Sequence, residues 1–286
     1  MAEMGCRLQQ KEIIECQPGY RRGTNISFTF AAMQFRFSKY EGSGNDFIMA
    51  DNREGFFTAD EERIALLCHR RFGIGADGLI LIENSAESDF FMRYFNCDGK
   101  ESTFCGNGGR CAAAFANQLG ICGHRTFFEA KDGLHEAEIR GRDVRLKMIN
   151  TGKPVKHKDG MYLFTGSPHL VYFSENVNQT DVFSEGRRIR RDFSEEGSNV
   201  NFVQLLPGFI RMRTYERGVE NETLSCGTGV TAAALVVSQM GYSSPVRVET
   251  PGGNLQVEFK TDADGFSEVY LSGPASFVFS GTISLH

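Results

Sequence analysis

The tetrapeptide Cys-Gly-x-Gly occurs twice, as Cys105-Gly106-Asn107-Gly108 and as Cys226-Gly227-Thr228-Gly229, 121 residues apart. A glycine-rich turn that opens a helix leaves backbone N–H groups without intrahelical partners. Together with the helix dipole these groups make a site for an anion. The same field favours a thiolate, so Cys105 and Cys226 are expected to have lowered pKa values. Two such thiols on opposite sides of one carbon can invert it. One thiolate removes the α-proton of an amino acid whose carboxylate is gripped between the helix starts. The other thiol returns a proton to the opposite face, and the developing charge spreads into the carboxylate, where N–H donors wait. Such chemistry needs neither pyridoxal phosphate nor a metal, so no cofactor is expected. A single Cys-Gly-x-Gly reads as well as a tight turn; the second copy separates the two readings.

The repeat is wider than the motif. The same shift superposes Glu101 on Glu222, Ser102 on Thr223, Ala112-Ala113 on Ala233-Ala234 and Gly120 on Gly241. A shift of 120 lays Met92-Arg93-Tyr94-Phe95-Asn96 over Met212-Arg213-Thr214-Tyr215-Glu216. The chain reads as two copies of one unit, each with a thiol at the same structural position. Short β-favouring runs such as Leu79-Ile80-Leu81-Ile82 and Val200-Asn201-Phe202-Val203 dominate, bounded by Gly, Asp, Asn or Pro. Three helices are predicted. One covers Ala59 to Arg70, with Thr58 as N-cap and Glu61 three residues on. The others run from Gly106 to Leu119, stopped by Gly120, and from Gly227 to Met240, stopped by Gly241. Both of these are Ala-rich and apolar nearly all round, which predicts buried helices with strands wrapped around them.

With 286 residues, 41% hydrophobic and 23% charged, the chain has room for two globular domains. A net charge of −5 with no basic stripe speaks against nucleic acid as a partner. The run Arg187-Arg188-Ile189-Arg190-Arg191 reads as a solvated surface segment. No apolar run approaches the ~20 residues of a membrane span. The eight cysteines lack the spacing of a secreted scaffold or a structural zinc site, and a reducing cytoplasm is the simpler setting. Cys6, Cys16, Cys68, Cys97, Cys111 and Cys122 then read as inert thiols. Residues 1–32 show no periodicity and precede Met33, a natural alternative start, so they are expected to be a disordered or non-native extension.

From Met33 onward the chain resembles the diaminopimelate epimerase family. The resemblance rests on Gly42-Ser43-Gly44-Asn45-Asp46-Phe47, Gly73-Ile74-Gly75-Ala76-Asp77-Gly78, Asn96-Cys97-Asp98-Gly99, Asn199-Val200-Asn201-Phe202, Glu216-Arg217-Gly218 and the twin thiol motifs, in the family's order. It implies that Cys105 and Cys226 are the catalytic acid/base pair interconverting LL- and meso-2,6-diaminopimelate. It implies too that Gly106, Asn107 and Gly108, with Gly227 and Thr228, hold the reacting end of the substrate. Asn45, Asn96, Asn199, Glu216 and Arg217 match pocket-lining positions. Their types suit a distal ammonium, which needs acceptors, and a distal carboxylate, which suits a guanidinium fork. Where the family commonly has Asn-Pro-His this chain has Ser167-Pro168-His169. The match places His169 near the site, against the plain reading of a satisfied loop histidine. Ser167 is shorter than asparagine and puts a distal contact, and so the substrate's identity, in question.

The resemblance further implies an α+β fold of two pseudo-symmetric domains, each a mostly antiparallel rolled sheet around a central helix, with the site between them. Residues 33–149 with 274–286 would form the first domain and 150–273 the second. A homodimer is implied as well. Three other readings stay open: a racemase of another amino acid, an isomerase of the phenazine-biosynthesis type, which lacks the thiol pair, and a thiol redox or metal-binding protein.

Overall fold

The β-favouring runs become strands, and the 121-residue offset becomes a structural repeat. A computed structural model describes residues 33–194 and 197–285, so the N-terminal extension expected over 1–32 lies outside the described residues. The first unit runs β1 (Met33–Gly42), β2 (Asn45–Asp51), α1 (Glu61–Cys68), β3 (Gly78–Glu83), β4 (Phe90–Asn96), α2 (Gly106–Gln118), β5 (Arg125–Ala130), β6 (Gly133–Arg140) and β7 (Asp143–Lys147). Two short strands follow, β8 (Thr151–Gly152) and β9 (Val155–His157). The second unit runs β10 (Gly160–Phe164), β11 (Pro168–Phe173), α3 (Val182–Phe193), β12 (Asn199–Leu206), β13 (Phe209–Glu216), β14 (Asn221–Thr223), α4 (Gly227–Ser238), β15 (Val246–Thr250), β16 (Gly253–Thr261) and β17 (Gly265–Pro274). A last strand, β18 (Ser276–Leu285), pairs antiparallel with β1 from Met33↔Leu285 to Glu41↔Ser276.

The two units pair their strands alike. Around α1 and α3 the flanking strands are parallel, β2 with β3 and β11 with β12. Around α2 and α4 they are parallel again, β4 with β5 and β13 with β15. The remaining ladders are antiparallel, as in β3–β4, β12–β13, β5–β6 and β15–β16. Strand β17 also pairs with β7, so the sheet continues from one unit into the other.

Each sheet rolls around its Ala-rich helix. Ala112, Ala113 and Ala116 of α2 and Ala232, Ala233 and Ala234 of α4 are fully buried, since only small side chains let strands close on a helix from several sides. The outer faces are covered by α1 and α3. Strand β3 shows the consequence: Ile80 and Ile82 face the α2 core, whereas Leu79 and Leu81 face α1. A strand buried on both faces reads as a continuous apolar run rather than an alternating one.

Two details differ from the sequence expectation. Helix α1 is capped by Asp60, whose carboxylate accepts the Arg63 N–H at 2.9 Å, rather than by Thr58. An ionised carboxylate next to the first turn is the stronger partner for its free N–H groups. The arginine run at 187–191, read only as a solvated segment, belongs to α3, which buries Val182, Gly186 and Ile189. Arg190 on this helix pairs with Glu220 at 2.9 Å. Four arginines obscure the helical spacing, yet the 121-residue shift itself carries Glu61, where α1 begins, onto Val182, where α3 begins.

Candidate active site

Both thiols sit where a chain in extended conformation turns into a helix. Cys105 (φ −133°) is the N-cap of α2 and Cys226 (φ −126°) that of α4, and neither side chain makes a capping hydrogen bond. The two helix starts converge. A methyl group on Gly106 would lie 4.0 Å from the Gly227 Cα, and one on Gly227 would lie 3.6 Å from Asn107 Oδ1. Glycine at both positions keeps this gap open. Cys226 is buried and Cys105 partly exposed.

Burial overrides the expected lowering of the thiol pKa values. It pushes Cys105 and Cys226 up, and the nearby carboxylate of Glu216 adds to the rise in both. The N–H groups of Gly108 and Asn107 beside Cys105, and the Thr228 hydroxyl with the Gly229 N–H beside Cys226, act in the opposite direction. Loss of hydration is the larger effect because it acts on the whole ion, whereas each donor supplies one hydrogen bond. The charge of Cys105 also raises Cys226, so ionisation of one thiol opposes ionisation of the other.

A polar network backs Cys226. Its Sγ lies 3.4 Å from Thr228 Oγ1, which lies 2.9 Å from His169 Nε2. His169 is a strand residue of β11, fully buried, and burial lowers its pKa to about 3, with the charge of Arg217 a lesser cause. The ring is therefore neutral. Asn201 Nδ2 donates to His169 Nδ1 at 3.2 Å, which leaves the ring proton on Nε2, facing Thr228. Ser167 Oγ sits 2.9 Å from the same Nε2 and accepts from Asn199 Nδ2 at 3.2 Å. Asn199 Oδ1 in turn accepts the Arg217 N–H at 2.9 Å. Glu216, at the end of β13, accepts from the Thr223 hydroxyl at 2.8 Å, and burial raises its pKa.

On the Cys105 side, the hairpin between β1 and β2 turns through Ser43 (φ 55°) and Gly44 (φ 92°). Positive φ at both central residues is the type I′ geometry that matches strand twist. It delivers Asn45 to the first position of β2, where its Oδ1 accepts from Asn107 Nδ2 at 2.6 Å. Asn107 Nδ2 also reaches the Ser225 carbonyl at 3.4 Å, which ties the two units together. Asn45 and Asn107 are thus joined on one side of the gap, and Ser167, His169, Asn199, Arg217, Thr228 and Cys226 on the other. Asn96 joins neither network: it is exposed at the end of β4, and its side chain makes no hydrogen bond among the described residues.

Two contributors escaped the sequence reading. Asn201 lies two residues beyond Asn199, on the same face of β12; strand period alone could have placed it. Arg110 is fully buried in α2, donating from Nη2 to Ser43 Oγ at 2.8 Å and lying 3.5 Å from the carbonyls of Gly106 and Pro274. An arginine on an otherwise apolar helix is the signal that marks it.

Gly229 permits the Cys226 network. A methyl there would come within 2.5 Å of Asn201 Oδ1 and 3.3 Å of His169 Cε1. Asn201 cannot yield, because Thr214 Oγ1 donates to its Oδ1 at 3.0 Å and its Nδ2 also holds the Leu170 carbonyl at 3.0 Å. Gly229→Ala is expected to cost about 1–3 kcal/mol of folding stability through overpacking. Urea denaturation of the variant checks this; an unchanged midpoint would show that the strand gives way freely.

Known proteins share both the sequence pattern and this architecture. A family model described as "Diaminopimelate epimerase" matches residues 37–157 and 161–278. A diaminopimelate epimerase of Flavobacterium psychrophilum is 49% identical over 252 residues, covering 86% of this chain and 98% of that protein. One of Chlorobaculum tepidum is 46% identical over 261 residues, covering 85% of this chain and 99% of that protein. Among solved structures, a phenazine biosynthesis protein of the PhzF family from Bacillus anthracis superposes with a TM-score of 0.70 at 13% identity, covering 88% of this chain and all of that one. A hydroxyproline epimerase from Agrobacterium vitis gives 0.64 at 14% identity, covering 90% of this chain and 93% of that one. At such identities these structures speak to the fold alone.

Proposed function

The chain belongs to the diaminopimelate epimerase family, and from that premise we propose that it converts LL- to meso-2,6-diaminopimelate with Cys105 and Cys226 as its two bases. The observation that carries the reading is the meeting of two thiol-capped helix N-termini across the gap between Gly106 and Gly227. The substrate's α-carboxylate accepts hydrogen bonds from the free N–H groups of both first turns, which sets the α-carbon between the sulfurs. One thiolate takes the α-proton; the C–H electron pair moves into the carboxylate, and the other thiol delivers its proton to the opposite face. Mutual repulsion opposes ionisation of both sulfurs at once, so when one becomes the base the other stays protonated as the acid, the pairing that inversion requires. The roles reverse in the other direction.

Glu216, Arg217, Asn96 and Asn199 receive the distal ammonium and carboxylate in this reading. Ser167, in place of the family's asparagine, is engaged by His169 and Asn199 and leaves the distal group one direct contact fewer. The neutral His169 donates to Thr228, freeing that hydroxyl to donate to the Cys226 thiolate. Assembly as a homodimer and residence in the cytoplasm, where thiols stay reduced, belong to the same proposal. Among the described residues no helix is long and apolar enough to cross a membrane.

Incubation with LL-diaminopimelate in D₂O tests the function. The expected result is meso product carrying one deuterium, at the inverted carbon. No exchange at all would refute it, and faster exchange into a different amino acid would favour a racemase on the same scaffold.

A further inference from the structure

The motifs around Asn45 and Asp77 contain two aspartates to which the chemistry above gives no task. Asp77 lies just before β3 and faces the start of β2. Its Oδ2 accepts from Asn45 Nδ2 at 2.9 Å, and its Oδ1 accepts from Arg70 Nη2 at 2.6 Å. Arg70 also holds Asp46, through 2.6 and 3.0 Å contacts, and Asp46 pairs with the buried Lys39 at 2.7 Å. The cluster thus anchors Asp77 through Oδ1, the oxygen that Asn45 does not use.

The hydrogen bonds running inward from Asp77 have a direction. A carboxylate only accepts, so the Asn45 side chain must turn its NH₂ toward Asp77 and its oxygen away. That oxygen accepts from Asn107 Nδ2, which turns the Asn107 oxygen away in its turn. Asn107 Oδ1 is buried, has no hydrogen-bond partner among the described residues, and lies beside Gly227 at the gap between the two helix starts. A buried amide oxygen without a partner is costly unless a donor arrives to fill it. The amino acid proposed for this gap brings such a donor, the ammonium on its reacting carbon.

We infer that Asp77 is a positioning residue: its carboxylate fixes the orientation of two successive side-chain amides so that Asn107 presents its oxygen to the substrate's reacting-end ammonium. This rests on the proposed binding of an amino acid between the two thiols. The ammonium matters to the chemistry as well as to binding, because a positive charge on the α-carbon's own substituent stabilises the carbanion formed when the proton leaves.

Four variants test the relay, read as kcat/KM for α-proton exchange with LL-diaminopimelate in D₂O. Asp77→Ala removes the acceptor and is expected to lower kcat/KM about 30-fold, the scale of one lost charge-assisted contact. Asp77→Asn keeps an oxygen where Oδ2 stood while losing the charge, and is expected to stay within about 3-fold of the parent. Asn45→Asp sets two carboxylates face to face and should lose about 30-fold or more. Adding Asp77→Asn to it makes a swapped pair in which the amide introduced by the second substitution donates and residue 45 still accepts from Asn107, restoring activity to within about 5-fold. The swap keeps the test decisive should Asp77→Ala fold poorly. If Asp77→Asn is as impaired as Asp77→Ala, or the swap performs no better than Asn45→Asp alone, the aspartate serves only the ion cluster and the inference falls. Absence of exchange in the unsubstituted enzyme is a different failure: it removes the proposed function, and the relay with it.

Discussion

Cys105→Ala and Cys226→Ala are each expected to abolish epimerisation, lowering turnover by about 10³-fold or more, because neither sulfur can reach both faces of one carbon. Isotope exchange makes the expectation sharper than loss of activity. A variant with a single thiol can still remove a proton on its own side and return a deuteron to the same face. Each variant should therefore label one stereoisomer with retention and leave the other unlabelled, and the two variants should prefer opposite isomers. Loss of fold is not the expected cause, since alanine leaves only a sulfur-sized gap at an N-cap whose side chain makes no capping hydrogen bond. Thermal melting close to that of the parent would establish this. Near-normal inversion in either variant, or labelling of the same isomer by both, would sink the two-thiol reading.

The second large effect is an acid-linked loss of stability centred on His169. Its pKa falls from 6.5 to about 3 on burial in the folded chain. Below pH 6.5 the unfolded chain takes up a proton at this residue and the folded chain does not, so protonation pulls the equilibrium toward unfolding. A depressed pKa therefore contributes stability that is complete above pH 6.5 and drains away as pH falls toward 3. The loss is about 2 kcal/mol at pH ~5 and on the order of 4 kcal/mol near pH ~3.5. Carboxylates such as Asp46, whose pKa is lowered to about 2 with Arg70 and Lys39 holding the ionised form against the cost of burial, add an acid sensitivity of their own. Comparison with His169→Gln isolates the histidine, because glutamine presents an amide to Thr228 and Asn201 but does not titrate. Unfolding free energies at pH ~7 and pH ~5 should differ more in the parent than in the variant, by about 2 kcal/mol. Equal differences would mean that His169 titrates at its ordinary value in the folded chain, and the hydrogen bond assigned from Asn201 Nδ2 to its Nδ1 would then be lost at pH ~5, because a protonated ring has no acceptor there.

Features that depend on a few neighbouring residues are legible in the amino-acid sequence. Cys-Gly-x-Gly before an Ala-rich run specifies a thiol at a helix start, and it does so twice because the chain is duplicated. The strand-rich rolled fold follows from short β-branched and aromatic runs around those helices. Had the 121-residue shift been applied to α1, it would have yielded α3 as well, which arginines hide from a periodicity search. Asn201 could likewise have been reached from Asn199 by strand period.

Other features depend on what the chain places around a group from far along its length. The thiol pKa values turn upward because the folded chain buries both sulfurs and sets the Glu216 carboxylate near them, and no local motif reports that desolvation. His169, placed near the site by the resemblance, loses its water only when β11, β12 and α4 close on it. The direction of the hydrogen bonds from Asp77 to Asn107 needs a hairpin turn, a strand and a helix start brought side by side. Residue types and their order along the chain were enough to mark Cys105 and Cys226 as candidates and to put each at a helix start, as a repeated pair. Protonation and orientation of those groups were settled by folding, because hydration loss and hydrogen-bond polarity are set by every neighbour in space, and most of those neighbours are distant in the chain.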